Sequence, residues 1–212
     1  VSTLHRIHAI KKRGPKASSL FFHEILSGSE RFPNGEGFIG DKLQNPAKSA
    51  DDRLSSAIKD SGVLRHEWTA WHWDMVLLVF QCEAFIRNAE VSAHKTFLRK
   101  IFEFYKPSKG LFSKVELSHP HSKELGWIGL AFLDLLLKIG GGLNEGSKIL
   151  DELLADIHYY IKAVISSESP HDCLISPTRI ATTASQYYFL FLGHLSRSES
   201  GRNLLLRHAF LP

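Results

Sequence analysis

Ser185-Gln186-Tyr187-Tyr188-Phe189-Leu190-Phe191-Leu192-Gly193 is the stretch on which the fold turns. Around it Ile180, Ala184, Tyr187, Tyr188, Phe191, Leu192 and Leu195 recur three or four positions apart, a spacing that puts them on one broad stripe of a helix. Polar side chains are almost absent, so neighbouring elements must cover that helix. The spacing predicts a buried helix within a stack of helices.

Outward from this segment the same period returns. Leu150, Leu153, Leu154, Ile157, Ile161 and Val164 set out an amphipathic helix with Asp151, Glu152 and Asp156 outward, and Leu125 to Ile139 is apolar almost all round, which predicts a central helix. Phe97, Leu98, Ile101, Phe102 and Tyr105 form a further stripe opposite Lys95, Arg99 and Lys100. Pro107 ends it, because proline has no amide to continue the ladder. Trp68 to Ile86 reads as one longer helix and Asp51 to Asp60 as a helix with acids in its first turn. Leu4 to Ile10 and Leu20 to Leu26 suggest two short helices. Gly140-Gly141-Gly142, the 166–177 loop and Gly201 are read as separators, the last standing before a final Leu204-Leu205-Leu206 segment. No segment alternates polar and apolar residues as a half-exposed strand would. The expectation is an all-α fold, specifically an irregular helical-repeat (armadillo- or HEAT-like) solenoid segment, although no self-similar sequence recurs at a fixed period.

Hydrophobic residues make up 43% of the 212, ample for a core. The two cysteines, Cys82 and Cys173, lie in or beside apolar helical stretches, and no Asn-x-Ser/Thr acceptor occurs; both point to the cytosolic side. The absent initiator Met and the apolar helix running to the end suggest a piece of a longer protein. The net charge of +4 is concentrated: Arg6, Lys11, Lys12, Arg13 and Lys16 precede the first acid, Glu24, leaving the rest close to neutral. That is no footprint for a specific nucleic-acid interface. The patch Lys11, Lys12, Arg13 and Lys16 is the one candidate for anionic-surface contact, and it defines the alternative function: a basic helical module for anionic membrane or nucleic acid.

Signatures of chemistry fall short, so no catalytic, metal-ligating or cofactor-binding residue is assigned and the chain is read as not an enzyme. Gly141 to Lys148 has phosphate-loop glycine spacing, but Ser147 precedes Lys148, whereas the lysine must come first for its ammonium to reach phosphate while the next hydroxyl meets Mg²⁺. His23-Glu24 and His66-Glu67 begin like zinc-protease helices, yet Ser27 and Ala70 stand where the second histidine belongs. His119 and His121, or His171 with Cys173, supply no closed tetrahedral set. Trp68, Trp71 and Trp73 are read as core and inter-helix packing rather than as an aromatic cage; on a helix the first two would share a face and Trp73 would point elsewhere.

Three motifs in order carry a resemblance. Asp60-Ser61-Gly62-Val63-Leu64 leads into Trp71-His72-Trp73-Asp74; Phe97-Leu98-Arg99-Lys100 runs to Phe104-Tyr105-Lys106-Pro107-Ser108; and the third is Ser185-Gln186-x-Tyr188-Phe189-Leu190-Phe191-x-Gly193. Over about 56–206 this order resembles the Rictor (pianissimo) family, the rapamycin-insensitive companions of the TOR kinase, with Trp71, Trp73, Tyr105, Pro107, Gln186, Tyr188 and Gly193 as structural landmarks. The apolar spacing gives N-terminal helices over 1–26, and the breakers Gly28, Pro33, Gly35, Gly37, Gly40 and Pro46 give a flexible insertion over 27–50, which the resemblance does not cover. The resemblance implies middle-region helical repeats over 51–177 and, over 178–212, the start of the next helical module, similar to the N-terminal part of Ras exchange factors. It implies a non-catalytic scaffold of TOR complex 2, without cofactors, packing against the TOR kinase and companion subunits. That complex phosphorylates AGC-family kinases and affects actin organisation and growth signalling. A cytoplasmic location with peripheral plasma-membrane contact follows from the same resemblance.

Overall fold

The computed structural model describes residues 50–140, 144–166 and 173–211. The first two short helices, the 27–49 insertion, the Lys11, Lys12, Arg13 and Lys16 patch, and the Gly141-Gly142 part of the glycine triplet lie outside the described residues. Among the described residues the elements are α1 (Ala50–Asp60), α2 (Trp73–Gln81), α3 (Glu83–Arg87), α4 (Ser92–Tyr105), α5 (Ser122–Ile139), α6 (Glu145–Ser166), α7 (Pro177–Thr182), α8 (Tyr187–Leu195) and α9 (Glu199–Arg207), with short 3₁₀ turns between them. No strand is present among them, and the fold is all-α. The sole extended pairing there is one antiparallel bridge, Glu116 with Thr183.

Helix α5 is central, as its all-round apolar sequence predicts: it packs against α2, α3, α6 and α8. Gly126 and Gly129 make that possible. A Cβ on Gly126 would stand 2.5 Å from the Tyr187 ring, and one on Gly129 would stand 2.3 Å from Phe191 and 2.9 Å from Tyr105. What looks like an interruption of the apolar run is the flat strip on which α8 lies. Tyr105, Phe112, Phe132, Tyr188 and Phe191 fill the space around it, each at most 1% exposed.

Helix α4 ends as expected. Lys106, the residue before proline, is extended at φ −65°, ψ 121°, and Pro107 opens a 3₁₀ turn. The turn is held to α6 by the Ser108 amide, which donates to Asp156 at 2.7 Å. The Tyr105 carbonyl at the end of α4 is met instead by the Tyr188 hydroxyl, which donates to it at 2.9 Å, while the Tyr105 hydroxyl donates to the Leu125 carbonyl at 2.7 Å. Two buried phenols thus join α8, α4 and α5 in series.

Three local expectations are corrected. Trp68 to Ile86 is not one helix. Trp71 (ψ 141°) and His72 (ψ 93°) are extended, and Cys82 breaks the chain again between α2 and α3. Tertiary hydrogen bonds hold the first break: the Trp71 indole donates to the His66 carbonyl at 2.8 Å and the His72 amide to the Ser61 carbonyl at 3.0 Å. The 180–195 helix is likewise two helices, α7 and α8. Thr183 between them is extended (φ −129°, ψ 170°), and its neighbours join the 115–117 segment through Leu117 N–H to Thr182 O (2.9 Å) and Ala184 N–H to Val115 O (2.7 Å). Gly201, finally, is inside α9 rather than before it. Its amide caps on the Ser198 hydroxyl at 3.0 Å, and a Cβ there would stand 2.0 Å from the Leu195 carbonyl oxygen.

Tyr188→Phe leaves the Tyr105 carbonyl buried without its donor and is expected to cost about 1–3 kcal/mol in urea unfolding. Burial holds both phenols well above the ordinary tyrosine value. They stay neutral in the folded state while the unfolded chain ionises, so stability present below about pH 10 is expected to fall as pH rises beyond it, and less steeply in Tyr188→Phe. Gly129→Ala is expected to destabilise by about 1–3 kcal/mol through overpacking. Gly193→Ala is expected to stabilise by up to about 1 kcal/mol, since nothing lies within 4 Å of its Cβ and helix propensity alone decides.

A tryptophan-lined cleft as the candidate functional site

Phe104, near the end of α4 and fully buried, organises the surface feature that carries most aromatic character. Three tryptophan rings surround it: Trp68 at 5.2 Å between centroids, Trp71 at 5.9 Å and Trp73 at 5.0 Å. The sequence expectation that Trp73 points away from its neighbours fails because the segment is extended, so side chains two apart fall on one side. The Trp71 and Trp73 rings are 5.2 Å apart. Gly62, with φ 74°, turns the chain after α1 so that Ser61 can bond the 72 amide and set this segment against α4.

Trp71 is core, at 8% exposure, but Trp68 and Trp73 are only half-buried. Beside them lies a cleft of about 410 Å³ whose lining includes all three tryptophans, Asp74, Glu124 and the histidines 72, 119 and 121. His121 Nδ1 is 2.7 Å from Glu124, and the His121 amide donates to His119 Nδ1 at 3.2 Å. A second cleft of about 510 Å³ shares Trp68 and His119 and continues along Leu111, Lys114, Val115 and Glu116. Packing therefore accounts for Trp71, while Trp68 and Trp73 also wall a concave surface that the sequence did not announce.

The other sequence-predicted groups stand apart from this cleft. Tyr105, Pro107 and Tyr188 are buried packing residues, Gln186 is half-buried, and Gly193 is exposed on α8. No group of three or more metal-capable side chains occurs among the described residues. At the start of α6, beside the former phosphate-loop candidate, the Glu145 amide donates to Glu90 at 3.0 Å and the Ser147 amide to Asn144 at 3.1 Å. Protein oxygens thus occupy the amides of Glu145 and Ser147. Arg99 bridges Glu145 and Glu152, the latter at 2.6 Å, tying α4 to α6. No helix among the described residues is long and apolar enough to cross a membrane.

Phe104→Ala is expected to cost about 3–5 kcal/mol and to shift tryptophan emission to the red, as the rings lose their common cover. Circular dichroism melting and fluorescence spectra check the two effects.

Comparison with known proteins adds what geometry does not contain. Residues 166–212 match the family model described as "Rapamycin-insensitive companion of mTOR, middle domain", on the segment that the sequence reading gave largely to the following module. The chain is 29% identical over 211 residues to the human rapamycin-insensitive companion of mTOR and 30% identical over 209 residues to that of Mus musculus, covering 97% of this chain in both cases. It is 25% identical over 217 residues to the target of rapamycin complex 2 subunit ste20 of Schizosaccharomyces pombe, covering 98% of this chain. The chain spans 12% of the length of the two mammalian relatives and 16% of the yeast one. These alignments reach well beyond the 56–206 stretch that holds the three motifs. The chain belongs to the Rictor family, and its C-terminal part matches that family's middle domain.

Proposed function

We propose that this chain is a non-catalytic scaffold segment of a TOR complex 2 subunit, an irregular armadillo- or HEAT-like array that packs against the TOR kinase and companion subunits in growth and cytoskeletal signalling. The observation that carries the reading is similarity along almost the whole chain to proteins named as companions of mTOR or subunits of target of rapamycin complex 2. The physical character of the described residues supports it. Their buried groups are almost all apolar and aromatic side chains, and charged groups pair between helices, as in Arg99 with Glu145 and Glu152 or Asp151 with Arg207 and His208. Such a body presents surface rather than chemistry. The location that goes with this role is cytoplasmic, with recruitment to the plasma membrane as part of the complex.

A second reading rests on the five cations that precede Glu24: a basic module that contacts anionic membrane or nucleic acid through Lys11, Lys12, Arg13 and Lys16.

Purification of the tagged parent protein at native levels, with quantitative mass spectrometry, is expected to recover TOR kinase at comparable stoichiometry. Its absence overturns the scaffold reading. For the second reading, binding to anionic liposomes or RNA should fall steeply with salt and with the triple Lys11→Ala, Lys12→Ala, Arg13→Ala change. Binding that ignores both sinks it.

A further inference from the structure

We propose that the cleft formed by Trp68, Trp71 and Trp73 receives an arginine side chain of a partner polypeptide. The inference adds a ligand chemistry to the scaffold reading, and relies on that reading only for there being a partner. Trp71 is fixed by its own indole hydrogen bond to the His66 carbonyl at 2.8 Å, and Phe104 holds all three rings from behind, so the aromatic wall exists before anything binds. Trp68 and Trp73 are only partly buried by that packing, which leaves indole surface lining a 410 Å³ cleft. Indole is the best aromatic partner for a cation, and a planar guanidinium both stacks on it and forks to carboxylates.

The charge of the lining selects the occupant. Asp74 and Glu124 are both exposed and contribute to the cleft, and neither lysine nor arginine is among its lining residues. The cleft therefore presents two carboxylates, Glu124 with His121 Nδ1 at 2.7 Å, and no ammonium or guanidinium group. This disfavours an anionic lipid headgroup or a nucleic-acid phosphate and favours a cation. The adjoining cleft differs, because Lys114 stands there beside Glu116.

The test uses the full chain and a fluorescein-labelled Gly-Ser-Arg-Gly-Ser peptide at pH 7.5, read by anisotropy and by quenching of tryptophan emission. A counterpart carrying citrulline has the same shape without the charge. The arginine peptide is expected to bind in a saturable way, and the citrulline peptide about three- to thirtyfold more weakly. Asp74→Asn and Glu124→Gln are each expected to weaken arginine binding severalfold while lowering the thermal unfolding midpoint only slightly, since both are exposed first-turn residues. Equal binding of the two peptides, or no saturable binding up to millimolar concentration, overturns the proposal. Neither result bears on co-purification with the TOR kinase, so failure of the cleft and failure of the scaffold reading are distinguishable.

Discussion

The tertiary structure hangs on the pair of buried hydroxyls that runs from Tyr188 to the Tyr105 carbonyl and from Tyr105 to the Leu125 carbonyl. Helix α4 must stop before Pro107, and a stopped helix leaves carbonyls that need donors. Here that need is met in the protein interior, by a phenol from a helix more than eighty residues further along. Helix α8 is thereby held against the end of α4, while Tyr105 reaches the first turns of α5. Each donor is useful only where the other elements already stand, so the helix end, the central helix and the aromatic helix specify one another.

Magnitudes show why this arrangement, rather than the ion pairs, holds the fold. Aromatic side chains bury about 150–250 Å² each, and at about 25 cal/mol per Å² each contributes several kcal/mol before entropy is counted. Phe104, Tyr105, Phe112, Tyr188 and Phe191 form a contiguous group of such rings, with centroids within 6.0 Å of a neighbour. Pairs at the surface contribute about 0.2–1 kcal/mol each. Arg99, with a side chain 35% exposed, belongs to that second class even though it joins two helices. The charged groups orient α6 against α4; the aromatic rings and the two glycines of α5 decide how closely α8 can approach.

Much of this was legible in the residues. The apolar stripes of α4, α5 and α6, the stop at Pro107 and the centrality of α5 were all readable, because each depends on side chains within one element. The order of three motifs pointed to the right family, and two of those motifs, around Tyr105 and Tyr188, turn out to supply the two donors of one buried hydrogen-bond chain. The cleft was not legible. Trp68, Trp71 and Trp73 were placed on a helix by their spacing, and helical spacing separates Trp71 from Trp73. An extended backbone at Trp71 and His72, held by Ser61 and His66, brings their rings together and gives them a shared partner in Phe104.

The sequence by itself determined the class of the fold, the faces that would be buried and the family, since periodicity and motif order are properties of the chain read along its length. Only the tertiary structure decided where helices break and why glycines stand where they do. Thr183 leaves the helix to pair with the 115–117 segment, Gly129 accommodates Phe191, and Gly201 lets α9 begin against the Leu195 carbonyl. The physical reason is common to all three. Each is fixed by a contact between residues that are distant in sequence or folded back sharply on one another, and a local pattern carries no record of the atom it will meet.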